Sequence, residues 1–313
     1  MNSTKVLQRK KKDSFFKSLK KYPELWILTA LFVAWWVIFY LIPMYGIAYG
    51  FFDYFPGKSL FNSKFIGLKH FVDFVKNQDF GNIVRNTLVI GGLNMSIGFV
   101  APIILSLLLD ELYPGKFKKF TQTVSYLPYF VSWVVVASLA TSMLNSDGVI
   151  NSILLSIGAI DKPVKFLTEG KYFWGIITAL NIWKSVGWNT ILYMSAIAGI
   201  DQTLYEAGAV DGLNRWGMVK HITIPSIMPT IMLLFILGLG NMINLGYEAN
   251  LLLGQSTTRA YWETIDTYTY RYGIQMGRYS FAIAVGVLKS VISIVLIFLS
   301  NKVVRKMTDY SIL

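Results

Sequence analysis

Six stretches of this chain are predominantly apolar for twenty residues or more, and that pattern constrains its fold more than any other feature. They run from Leu25 to Phe52, Thr87 to Leu109, Thr123 to Leu144, Phe173 to Ile200, Pro225 to Leu245 and Phe281 to Val303. A bilayer core needs about 20 apolar residues per helix, and a helix satisfies its own backbone there. The expected fold is therefore an all-α polytopic membrane protein with six transmembrane helices in one domain, residues 25–303. Composition agrees: 54% of residues are hydrophobic and 15% charged, where a soluble domain carries about 25%.

Basic residues set the expected orientation. Lys5, Arg9, Lys10, Lys11, Lys12, Lys17, Lys20 and Lys21 precede the first span, making residues 1–24 a basic cytoplasmic segment. The first span is too long for a cleaved signal peptide and reads as a signal anchor. With six spans the tail, residues 304–313, is cytoplasmic too, in keeping with Lys302, Arg305 and Lys306. The short basic connection "DELYPGKFKKF" after the second span belongs on the same side. The run "VINSILLSIGAI" (149–160) is too short to span and is expected to lie along the outer surface.

Several functions are excluded early. The chain has no cysteine and only two histidines, His70 and His221, far apart in sequence. Thiolate metal sites and cysteine nucleophiles are thus absent, and a histidine-based triad has no material. The net charge of +12 lies at the ends of apolar spans rather than on one soluble face, so nucleic acid is not an expected partner. The one Gly-Lys-Ser, at 57–59, lacks the leading glycine of a P-loop, because Phe52 stands there. Any ATP that drives this protein is bound by another chain.

Between the fourth and fifth spans lies "EAGAVDGLNRWGMVKHITIPSIMP" (206–229), polar and dotted with glycine. A short helix is expected from Gln202 to Val210, a sharp bend at Gly212, and a new start at Pro225, the first residue of span five. Small residues permit close approach to another surface. Such a helix–bend–helix suits docking in the cleft of a partner, and equally suits lying flat on lipid headgroups.

The spacing Glu-Ala-Gly, three residues, Gly212, nine residues, Ile222-x-Ile224-Pro225 resembles the EAA signature of the permeases of binding-protein-dependent ABC importers. It departs at Gly208, where the family has alanine, and at Ile224, where it has leucine; Gly208 should soften the helix by up to about 1 kcal/mol. "NTLVIGG", "YLPYFVSWVVV" and "ETIDTYTYRYGIQMGRYSFAIAVGVLKS" are similar to the carbohydrate branch, of maltose-permease type. Within it they look most like permeases for oligosaccharides and polysaccharide fragments in low-GC Gram-positive bacteria. The likeness covers nearly everything after residue 25.

The resemblance implies a type I ABC importer permease fold in a bacterial cell membrane, working by alternating access. It implies a cytoplasmic coupling loop, 201–224, seated in an ATPase groove, with Glu206, Ala207, Gly208, Asp211 and Gly212 forming the contact and Arg215 and Pro225 flanking it. Arg215 and Lys220 are free to pair with partner charges or with lipid phosphates. Implied partners are a second, similar but non-identical permease, two ATPases carrying ATP and Mg, an extracellular solute-binding lipoprotein, and an oligosaccharide. The chain itself would be no enzyme and would bind no cofactor.

Polar residues inside spans are the remaining signal, because burying them costs energy unless they meet a cavity or a partner. Asn181, Lys184 and Trp188 share one face of span four, with Trp183 and Asn189 assigned to other faces. An amide, an amine and an indole suit a sugar, though Trp188 could equally pack and Lys184 reach the headgroups. Asn241 and Asn244 in span five fit either substrate contact or interhelical bonding, and Lys289 in span six a cavity or a permease interface. A self-sufficient secondary transporter is the rival from another class; it would want Asp, Glu or His within the spans, and none lies well inside any of the six. A membrane enzyme would need carboxylates, of which "DEL" (110–112) is the nearest set and reads as a loop start.

Overall fold

The computed structural model describes residues 21–58 and 62–307. The basic cluster Lys5 to Lys20, Ser59 and the end of the tail, 308–313, lie outside these. The chain divides into two compact units, residues 1–49 and 50–313. In the first, helix α1 (Pro23–Trp36) opens with proline in its first turn, where no N–H is needed. It runs on through a wide turn, Val37–Leu41, with Trp35 5.8 Å from Phe39 and 5.5 Å from Tyr40.

The second unit begins with a two-stranded antiparallel pair, Phe52–Asp53 (β1) with Lys64–Phe65 (β2), in the register Phe52–Phe65. After it come α2 (Lys69–Val75) and the 31-residue α3 (Phe80–Asp110), about 46 Å long. α3 starts seven residues before the expected Thr87. Asn77 accepts from the Asp79 amide at 2.8 Å just ahead of it, and Ile83 and Asn86 bury one side of the extra turns.

The third apolar stretch departs from expectation. Instead of one helix over 123–144 there are two, α4 (Lys116–Tyr126) and α5 (Trp133–Leu144). A 3₁₀ turn, Leu127–Phe130, and extended backbone at Val131 and Ser132 separate them. Pro128 has no N–H to continue the helical ladder of α4, and the Ser132 hydroxyl starts α5 by accepting from the Val135 amide at 3.4 Å. The short apolar run beyond forms α6 (Val149–Ser156), which packs on α5.

α7 (Phe173–Ala198) has 26 residues and packs along α3 as the most extensive helix pair of the unit. Its length, about 39 Å, suffices to cross a bilayer. It is nonetheless missing from the five helical stretches among the described residues that are both long and apolar enough: Pro23–Phe51, Phe80–Asp110, Trp133–Ser156, Arg215–Asn241 and Tyr279–Lys306. Asn181, Lys184, Ser185 and Asn189 dilute its apolarity.

The loop after α7 forms as expected. α8 (Gln202–Val210) is capped by Asp201, which accepts from the Thr203 amide at 3.0 Å. Gly212 turns the chain at φ +77°, the left-handed region that glycine enters at little cost. Pro225, however, is not a helix start. α9 runs unbroken from Arg215 to Asn241, ten residues earlier, with a π turn over Val219–Thr223. Proline has no N–H for the carbonyl four residues back, and widening the preceding turn absorbs that defect. Short helices α10 (Glu248–Leu253), α11 (Arg259–Trp262) and α12 (Ile265–Thr269) then lead through a π turn, Tyr270–Gln275, to α13 (Tyr279–Met307).

Candidate functional site: a cavity of amides and the loop beyond it

α3, α7 and α9 enclose a cavity of about 390 Å³. Five asparagines line it: Asn94 from α3, Asn181 and Asn189 from α7, Asn241 closing α9, and Asn244 just after. Tyr193, Phe99 and the glycines Gly91, Gly98 and Gly238 complete the wall. A recess of about 350 Å³ adjoins it, sharing Asn94, Gly98, Asn181 and Asn189 and adding Tyr129, Trp133, Lys184 and Ser185. Neither lining contains Asp, Glu or His.

These amides are not all consumed by the fold. The Asn94 side-chain oxygen is buried without a hydrogen-bond partner among the described residues. The Asn241 amide donates within α9 to the Leu237 carbonyl at 3.2 Å, and Asn244 donates to Ser293 of α13 at 3.3 Å. An amide offers two donors and an acceptor, so this wall presents hydroxyl-matching groups between apolar patches.

The sequence reading is corrected in four places. Asn189, assigned to another face of α7, lines both cavity and recess. Residues eight apart on a helix stand only about 80° apart, and the wall takes in that wide a sector. Asn94 was missed, although it is a polar residue inside an apolar span. Trp188 lines neither space: its ring stacks on Tyr129 (4.5 Å, 6°) and meets Phe130 edge-on. Lys289 is likewise elsewhere, paired with Asp266 of α12, whose other oxygen accepts from the Gly246 amide at 2.9 Å. That pair staples α13 to the segment after α9.

Nearer the start of α3, buried Asn86 donates to the carbonyls of Ala260 and Glu263 at 3.0 and 2.9 Å. The Glu263 carboxylate bridges Arg259 (2.8 Å) and Arg271 (2.6 Å). Burial pushes Glu263 above the usual carboxylate range, with Arg259 opposing.

At the other end, Glu206, Ala207, Asp211, Gly212 and Arg215 of the loop are exposed, as are the apolar Val210 and Trp216 at 88% and 71%. Gly208 instead faces inward: a Cβ there would meet the tips of Ile222 and Met218 at 2.8 and 2.9 Å. It closes the loop's own small core rather than presenting a docking face. Arg215 lies 3.7 Å from Glu111, which puts the connection after α3 at the same end as this loop.

Residues 98–309 match the model of the family described as binding-protein-dependent transport system inner membrane component. The chain belongs to this family. It is thus a membrane permease subunit of an ABC importer, not catalytic itself, with the ATPase in a separate subunit. Protein LplB of Bacillus subtilis is 39% identical over 96% of this chain and 94% of its own length. The polygalacturonan/rhamnogalacturonan transport system permease YteP, also of Bacillus subtilis, is 36% identical over 98% and 95%. Among solved structures, a chain of a bacterial alginate ABC transporter, in complex with its alginate pentasaccharide-bound periplasmic protein, superposes with a TM-score of 0.84. It shares 36% identity over 95% of this chain and 99% of the other. The type I permease fold read from the sequence is therefore the fold of this chain.

Proposed function

We propose that this subunit forms one half of the translocation path of an oligosaccharide importer, and that the amide-lined cavity is where the sugar passes. The observation that carries this is the acid-free wall of five asparagines, in which the buried Asn94 oxygen has no hydrogen-bond partner among the described residues. Hydroxyl-rich ligands are held by such donors and acceptors set among apolar surface. Two of the similar proteins at 36% identity are named for polygalacturonan/rhamnogalacturonan transport and for alginate transport, which supports a sugar polymer or oligosaccharide here. The rival secondary transporter would need an acidic or histidine side chain in this wall to bind a proton or cation, and no Asp, Glu or His lines it.

The topology we infer has six spans, α7 being the polar one, within residues 25–303. The ends rich in basic residues, the coupling loop and the Arg305–Lys306 end of α13, face the cytoplasm. A second, non-identical permease completes the path, an extracellular binding lipoprotein delivers sugar, and two ATPases carry ATP and Mg. Exposed Glu206, Ala207, Asp211 and Gly212 dock on one ATPase, with Val210 and Trp216 as its apolar contacts.

Uptake by the complete transporter in proteoliposomes tests both halves of this. Asn94→Leu should lower maximal uptake of oligosaccharide about tenfold, the scale of leaving one polar contact unmade, with ATPase coupling retained. Glu206→Lys should abolish uptake while leaving insertion and binding-protein affinity unchanged. Normal uptake in a well-expressed Glu206→Lys transporter would remove the docking assignment.

A further inference from the structure

The break in the third span takes the carbonyls of Tyr129 and Val131 out of the helical ladder beside the recess, while that of Pro128 still accepts from the Val131 amide at 3.2 Å. In hydrocarbon such groups must be met from within the protein. The Lys184 ammonium of α7 meets them: it donates to the carbonyls of Val131 at 2.5 Å, Tyr129 at 2.6 Å and Pro128 at 3.4 Å. An ammonium has three protons, and three carbonyls receive them. The charge also lies over the Tyr129 and Trp133 rings, 5.5 and 5.8 Å from their centroids. A sugar hydroxyl or carboxylate could bind this amine only by displacing a carbonyl.

Two further contacts form the same joint. Gly187 brings the α7 backbone against α4 so closely that a Cβ there would overlap the Ser125 carbonyl oxygen. At the next residue of α7, Trp188 stacks on Tyr129, the residue whose carbonyl Lys184 holds.

We propose that Lys184 is a positioning residue of transport: it caps the interrupted third span from the neighbouring helix, so that the wall of the recess and α7 move as one body. This rests on the cavity being the sugar path. Lys184 is then not a sugar ligand, and its mid-helix charge exists to serve the break.

This chain has no cysteine, so labelling read on this subunit alone makes a clean test. In the complete transporter carrying Val131→Cys, maleimide labelling should be about tenfold faster with Lys184→Met than with the native lysine, because the break is no longer held. Lys184→Gln, with two amide protons, should fall between. Maximal uptake should fall in the same order, with the half-saturating concentration of loaded binding protein unchanged. Maltopentaose and a galacturonate pentamer, whichever are carried, should be affected alike. Unchanged labelling in Lys184→Met would overturn the proposal, and so would a loss confined to the anionic sugar, which would make Lys184 its ligand. If Lys184→Met does not assemble, Lys184→Gln supplies both readouts. Labelling needs no sugar, so a wrong substrate class would spoil the uptake result and leave the labelling result intact.

Discussion

Two helix breaks among the described residues, after Val210 and after Tyr126, are resolved by opposite means. The loop after α8 is finished locally. Gly212 supplies the left-handed turn, the Leu213 amide returns to the Gly208 carbonyl at 2.9 Å, and Asn214 caps the start of α9 by accepting from the Gly217 amide at 2.8 Å. Everything it needs lies within a dozen residues. The break after α4 borrows its solution from a lysine more than fifty residues away, with a glycine and a tryptophan of the same helix beside it. A surface break can use water and cheap turn chemistry, whereas one beside apolar spans must find a donor on another element.

The largest expected effect belongs to the remote joint. Gly187→Val would drive a branched side chain into the Ser125 backbone, which cannot step aside as a side chain tip can. Overpacking of this kind costs about 1–3 kcal/mol or more, and the helix pair would have to part. The variant should lose thermal stability in detergent and recover poorly in assembled transporter. A variant with native melting behaviour would mean that α4 and α7 are less tightly joined than their backbones imply.

At the local break the expected effects are smaller and opposed in kind. Gly212→Ala forces a Cβ into positive φ and should cost about 1 kcal/mol. Gly208→Ala regains helix propensity worth up to about 1 kcal/mol while its Cβ presses on the flexible ends of Ile222, Met218 and Leu213. The net change should lie near zero, and uptake should survive. Measuring both substitutions in one transporter separates a glycine required by backbone geometry from one that merely fills a tight corner.

The same contrast explains what could be read from the sequence. The helix at 202–210 and the bend at Gly212 were legible because their determinants are contiguous. The long apolar spans were legible through composition. The break at Pro128 to Ser132 was not, since a proline in an apolar run is compatible with a kink as well as a stop. Neither was the partner of Lys184 or of Lys289, because pairing across distant elements leaves no local trace. Asn94 could have been found by the rule that singled out Asn181: a polar residue in a span asks for a cavity or a partner. Asn189 was lost by treating one face of α7 as a narrow stripe.

His70 gives the comparison its finest test, as a nitrogen group that meets a remote carbonyl incompletely. It is buried in α2, its Nε2 3.3 Å from the Phe52 carbonyl of β1, while Nδ1 has no partner among the described residues. Burial holds its pKa below the usual 6.5, outweighing the Phe52 carbonyl and the charges of Asp53 and Asp73, while Arg278 acts in the same direction as burial. The folded protein therefore binds fewer protons here than the unfolded chain at pH values just below 6.5, and stability rises with pH in that window. This contribution is fully present above pH 6.5, is lost as pH falls toward the folded value, and levels off below it. A melting series in detergent should show a Tm that drops on acidification through this range, and His70→Phe should remove that part of the slope. Lys184, with three carbonyls for three protons, has what His70 lacks: an acceptor for every proton its charged form carries. An unchanged slope in His70→Phe would mean that one carbonyl suffices for a buried cation in this fold, and that the threefold capping of Lys184 exceeds what burial demands.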